Sequence, residues 1–291
     1  METRETSLKA SATRLDVRGL RIRCFVAGED GPPVILLHGG GLDSAELSWA
    51  DTIGPLSTRY RVYAPDLPGY GQSDRPDVTY SLDFYVGFLD GFYEALGLEK
   101  ASLIGLSLGG GIALSFTLRY PERVDRLVVV GPYGIAPQYS AHKLSYLYIH
   151  SPLNELSYRI FGLGRSLIRW SLSSGAIRNA ERLTPELIDQ VYAAAREPGA
   201  GKAFASFQRD EFRWNGVRTY LMDRLPEIQT PTLIVNGEKD NLVPASAAEQ
   251  AHRRIRNSRL HILAGCGHWA QRDNPEEFNR VVLEFLDESA G

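Results

Sequence analysis

Residues 101–119 read ASLIGLSLGGGIALSFTLR. Ala101 to Leu106 is an apolar run of strand length, and Leu108 to Arg119 has the composition of a helix that stops before Pro121. Between them, Gly105-Leu106-Ser107-Leu108-Gly109 fits GxSxG, the pattern of a serine held in a sharp strand-to-helix turn. The glycines answer a steric need: small residues two before and two after the serine let the chain pass close to itself. Such a turn lifts the Ser107 hydroxyl clear of the sheet and sets it at a helix N-terminus, whose unpaired N–H groups favour developing negative charge. Ser107 is therefore the candidate nucleophile.

A serine hydroxyl attacks weakly until a base takes its proton. His268 is the candidate base, because it follows the last apolar strand, in RLHILAGCGHWAQ (259–271), on a glycine-bearing loop. His252 and His261 fall in an expected helix and strand, and His142 and His150 fall in the middle of the chain, so these read as structural or surface residues. The base needs a carboxylate to fix its tautomer, and Asp240 in VNGEKDNLVP (235–244) occupies the equivalent place one strand earlier. Glu238 is the competitor; Asp240 is preferred because it lies further past the strand end. The order Ser107, Asp240, His268 is the one expected of a nucleophile elbow on a parallel sheet. A tetrahedral intermediate needs fixed N–H donors for its oxyanion. Leu108 supplies one, and Gly40 of the loop His38-Gly39-Gly40-Gly41 is the expected second, with His38 shaping that loop.

Working outward, strands and helices alternate on both sides of the serine. Arg14 to Gly28 suits a hairpin. Pro33 to Leu37 and Tyr60 to Ala64 read as strands separated by a helix from Leu47 to Arg59. Ser81 caps a helix running to Leu96. Arg126 to Val130, Pro231 to Asn236 and Arg259 to Ala264 continue the strands, and Pro275 to Leu286 is a closing helix. This pitch implies an α/β fold with a mostly parallel sheet and helices on both faces. From Pro132 to about Pro226 the pattern is helical and aromatic-rich, without a convincing strand. The expected division is a core of residues 1–132 and 227–291 and an inserted helical cap at 133–226.

Composition narrows the function. Apolar residues make up 43% and charged residues 23% of the 291, with a net charge of −3. No basic tract points to nucleic acid, no apolar run is long enough to span a membrane, and the N-terminus lacks the apolar stretch of a secretory signal. The expectation is a cytoplasmic protein whose partner is a small-molecule substrate, with neither nucleic acid nor membrane bound; oligomeric state is left open. Two distant cysteines, Cys24 and Cys266, read as reduced thiols. Neither metal-ligand spacing nor a phosphate-cradling glycine motif occurs, so no metal or cofactor is expected.

Taken together, HGGG, DLPGYGQSD, GLSLGG, YPERVDRLVVVGP, GEKDNLVP and GCGHWAQRDNPEEFN, in that order, resemble the α/β-hydrolase superfamily over nearly the whole chain. Within it the chain looks most like the meta-cleavage product hydrolases, which hydrolyse carbon–carbon bonds, through HGGG and through GHWAQ followed by PEEFN. Trp269, beside the histidine, matches that family. The resemblance implies an asparagine before the nucleophile, where Leu106 stands; an asparagine soon after the glycine loop, where Asp51 is the nearest match; and a cap arginine for a dienoate carboxylate, where Val191 stands, five residues before Arg196.

A buried carboxylate without a cation is costly. The sequence therefore favours a medium-sized, apolar or aromatic carboxylic ester, with Gly41, Leu106 and Trp269 beside the substrate. Carbon–carbon cleavage is the second expectation, and a ligand receptor that retained the triad is the third. Cap aromatics from Tyr133 and Tyr139 to Trp214 and Tyr220 suit an apolar roof, most of them as packing.

Overall fold

The computed structural model describes residues 10–136 and 141–288. Tyr139 and the first nine residues of the N-terminal stretch lie outside them. The core is an eight-stranded sheet. An antiparallel pair, β1 (Ser11–Val17) and β2 (Leu20–Ala27), forms one edge. It joins β3 (Pro33–Leu37), β4 (Arg61–Pro65), β5 (Ala101–Leu106), β6 (Val124–Val130), β9 (Thr232–Gly237) and β10 (Ser258–Leu263), in the order β1-β2-β4-β3-β5-β6-β9-β10. From β4 onward all pairings are parallel.

The central strands are apolar without interruption because both of their faces are covered. In β3, Ile35 and Leu37 join the apolar cluster of α2 (Leu82–Leu96), α3 (Leu108–Arg119) and α9 (Ala245–Arg254). Val34 and Leu36 join that of α1 (Ala45–Leu56), α10 (Ala270–Asp273) and α11 (Pro275–Asp287). The two-residue alternation of a strand thus fills two cores from one sequence run. Helix α1 begins two residues earlier than the sequence suggests. The Ser44 side chain caps it by accepting from Leu47 N–H at 3.3 Å, and it ends at Leu56 instead of Arg59.

Between β6 and β9 the chain leaves the sheet for α4 (His142–Ile149), α5 (Leu153–Phe161), α6 (Arg165–Ser171), α7 (Pro185–Arg196) and α8 (Lys202–Glu211). A two-residue hairpin, β7 (Phe212–Arg213) with β8 (Gly216–Val217), follows. The sequence does not announce it, since strands this short carry no periodicity. An apolar cluster of Ile168, Leu187, Ile188 and Val191 docks this insert on Leu47 of α1 and on Trp269. No described helix is long and apolar enough to cross a membrane. Cys24 and Cys266 are buried and free.

Candidate active site

The parallel strands bring Ser107, Asp240, His268 and the glycine loop to their C-terminal ends, where open α/β sheets hold their ligands. Ser107 follows β5 with φ 50° and ψ −111°, a left-handed conformation that a side chain enters only under constraint. The constraint is visible: its N–H donates to Val130 O at 2.9 Å, and its carbonyl accepts from Gly111 N–H and Tyr133 N–H at 2.9 and 2.8 Å. The glycines of the pattern are sterically required. A Cβ at Gly105 would lie 2.3 Å from Gly109 O, and one at Gly109 would lie 2.2 Å from Leu37 O.

His268 and Asp240 meet on the loops that follow β10 and β9. His268 Nδ1 lies 2.7 Å from Asp240 Oδ2, and the other carboxylate oxygen accepts from Leu242 and Val243 N–H at 2.8 and 2.9 Å. Three donors thus hold a buried carboxylate in one orientation, and the Nδ1 hydrogen is committed to it, leaving Nε2 as the open nitrogen. Glu238 is exposed and accepts from Gly265 N–H at 2.8 Å, so the acid at the histidine is Asp240. Gly131, next in sequence to the residue that anchors Ser107 N–H, has its α-carbon against the pair. Among the described residues no hydrogen bond joins Ser107 Oγ to His268, whose Nδ1 is bonded to Asp240.

The glycine loop is oriented by His38. Leu67 N–H donates to His38 Nε2 at 2.9 Å, so Nδ1 carries the hydrogen and donates it to Gly39 O at 2.7 Å. In a trans peptide the N–H points opposite to the C=O, which turns Gly40 N–H away from His38. Gly39 N–H is taken by Asp43 at 2.8 Å. Leu108 N–H, the first of α3, has no intrahelical partner. Asp43 is buried and also accepts from Ser44 N–H and Ser48 Oγ; burial pushes its carboxyl above the ordinary range against the pull of those donors. Sequence reading passed over this residue, although an acid two positions past HGGG was a signal.

A second feature missed from sequence is the support of the histidine loop by the insert. His268 N–H donates to Gly175 O at 3.0 Å and Trp269 N–H to Ala176 O at 2.8 Å. Asp273 accepts from Gly267 N–H on one side and from Arg178 and Asn179 N–H on the other. Separated in sequence by about ninety residues, these groups share no local pattern that would pair them.

The remaining expectations divide. Gly41 lines a cleft of about 240 Å³ between the glycine loop, residues 69–75 and helices α7 and α8. Phe204 of α8 lines the same cleft and packs on Gly40, a ring carbon 2.3 Å from where a Cβ would be. Leu106 is wholly buried on the α1 side of the sheet, touching the site only from beneath Gly39. Trp269 bridges the core and the insert. Asp51 is not a free polar group near the glycine loop: its carboxylate pairs with Arg182 of the insert and with Arg272. Val191 is buried in the insert's apolar cluster, and Arg196 lies on the surface, bonded to Tyr192 Oη at 2.9 Å.

Comparison with known proteins agrees with this fold. A family model described as alpha/beta hydrolase fold matches residues 32–275. The 2-hydroxy-6-oxo-2,4-heptadienoate hydrolase of Pseudomonas putida is 32% identical, over 88% of this chain and 89% of its own. The 2-hydroxy-6-oxo-6-phenylhexa-2,4-dienoate hydrolase of Burkholderia cepacia is 31% identical, over 97% of this chain and 96% of its own. Among solved structures, a meta-cleavage product hydrolase from Pseudomonas fluorescens IP01 is 33% identical with a TM-score of 0.80, over 94% of this chain and 97% of that one.

Proposed function

Because the chain belongs to the alpha/beta hydrolase fold family, we propose that it is a serine hydrolase that cleaves a carbon–carbon bond beside a ketone, in a substrate of the 2-hydroxy-6-oxo-dienoate kind. The observation that carries this reading over the ester favoured by the sequence is the extent of the likeness: relatives named for that chemistry match core and insert alike. Ser107 Oγ attacks the ketone carbon while His268 Nε2 takes its proton, and Asp240 stabilises the imidazolium. The oxyanion is received by Leu108 and Gly40 N–H. Collapse of the 2-oxo tautomer, in which the departing carbon already carries the enol hydrogen, breaks the carbon–carbon bond; its electron pair passes through the adjacent double bond into the 2-oxo group, and His268 returns the proton to the resulting dienolate oxygen. Water activated by His268 then releases the acid from Ser107.

Ester hydrolysis is the second reading, and Leu106 and Val191 favour it. Both are buried among apolar side chains, so neither position offers the polar group that a dienoate carboxylate would need. Turnover of a 2-hydroxy-6-oxo-dienoate against p-nitrophenyl butyrate separates the two. A kcat/KM for the dienoate at or above that for the ester is expected; a kcat/KM about a hundredfold lower, worth roughly 2.7 kcal/mol of transition-state stabilisation, assigns the chain to esters.

A further inference from the structure

The insert carries apolar residues that no part of the described chain covers. Of the twelve large hydrophobic side chains that stand exposed among the described residues, nine fall between Leu144 and Trp170. They repeat at helical spacing. Leu144 and Leu147 mark one face of α4, Leu153 and Leu156 one face of α5, and Leu163 and Trp170, which are 76% and 66% exposed, lie before and on α6. Folding does not account for this stripe, because each helix already has an inward anchor in Ile149, Tyr158 or Ile168. Helices α4, α5 and α6 lie side by side over α7 and α8, so their outer faces point away from the protein.

Charge identifies what fits there. From α4 to α6 the cations are Lys143, Arg159, Arg165 and Arg169, and the one acid is Glu155, whose carboxylate is drawn to Arg209 of α8 at 2.7 Å. Arg165 is paired with Asp189 of α7 and Arg169 donates to Leu183 O at 3.1 Å, which leaves Lys143 and Arg159 as the cations of this face without a carboxylate partner among the described residues, on a chain that carries −3 overall. Trp214, exposed at the β7–β8 turn, lies 5.4 Å from Lys143 Nζ and extends the same surface. Exposed leucine and tryptophan interspersed with lysine and arginine are the composition of helices that lie in a lipid interface. A second copy fits less well, since a two-fold contact would set the same cations against one another.

We propose that the outer face of α4, α5 and α6, together with Trp214, is a docking surface for an anionic lipid bilayer, on which the protein lies without crossing it. The absence of a spanning segment, from which the sequence suggested no membrane partner, does not bear on such a contact. Docking is independent of the chemistry at Ser107.

Sedimentation of the full chain with vesicles of phosphatidylcholine, with and without phosphatidylglycerol, tests this. The protein is expected to bind the anionic vesicles about tenfold more tightly, with the preference weakened by salt. Leu163→Ser with Trp170→Ser should lower binding about tenfold, and Lys143→Glu with Arg159→Glu should abolish the anionic preference. All of these side chains are exposed, so both variants should keep the wild-type unfolding temperature and turnover of a soluble substrate. Failure of the wild type to sediment with anionic vesicles overturns the proposal. So does a dimer, seen by sedimentation velocity, that Leu163→Ser with Trp170→Ser dissociates while vesicle binding is absent, an outcome that gives the face to a second copy.

Discussion

Asp273 Oδ2 accepts the backbone N–H of Gly267 at 2.6 Å, one residue before His268. Through Arg178 and Asn179 N–H the same carboxylate ties the insert to the histidine loop. Asp273 is thus a positioning residue, and its loss should be felt at His268. Asp273→Ala strands three backbone donors, each costing about 1–3 kcal/mol if left unpaired. The expected result is a lowered unfolding temperature with kcat reduced about tenfold or more and KM little changed. Partial recovery of kcat is expected in Asp273→Glu. A folded Asp273→Ala with unaltered kcat would show that the loop needs no such support.

Gly131 supplies a second lever on the same pair. Its φ is 44°, and a Cβ there would lie 2.9 Å from Asp240 Oδ2 and 3.2 Å from His268 Nδ1. Gly131→Ala combines a backbone penalty of about 1–2 kcal/mol with displacement of the acid or the ring. Steady-state kinetics should give a kcat about ten- to a hundredfold lower, beyond what the loss of stability alone produces. Wild-type kcat in this variant would mean that the pair tolerates movement.

Both effects show where the sequence stopped being legible. Ser107, its glycines and the alternating strands could be read because each depends on neighbours a few residues away: a tight turn, a two-residue alternation, a helix start. Asp240 was left in competition with Glu238, since both follow β9 and only the packed loops show which carboxylate faces the ring. Asp273, Gly131 and the support from Gly175 and Ala176 act across long sequence separations, where no periodicity links the partners. The ion pair of Asp51 was illegible for the same reason. It is the nearest match to the asparagine that the resemblance implies after the glycine loop, and Arg182, far along the chain, claims its carboxylate.

The cysteines offer a check on the packing itself. Burial pushes the Cys266 thiol up to about 12 and the Cys24 thiol higher still, so neither forms thiolate near neutral pH. Titration of the native protein with a thiol-specific disulfide reagent at mildly alkaline pH should show no fast reaction, and both thiols should react once the chain is unfolded in urea. Fast labelling of either cysteine in the native state would contradict the closed cores described around β2 and the histidine loop.

The most direct measurement is the loss of the dienoate chromophore of a 2-hydroxy-6-oxo-dienoate, followed at steady state for the wild-type chain and for Ser107→Ala. In the proposed mechanism Ser107 delivers the attack and Leu108 and Gly40 N–H only stabilise its product, so the wild type should turn the substrate over while the alanine variant, folded by circular dichroism, loses about 10⁴-fold or more in kcat. Turnover by Ser107→Ala at the wild-type rate would contradict the assignment of Ser107 as nucleophile.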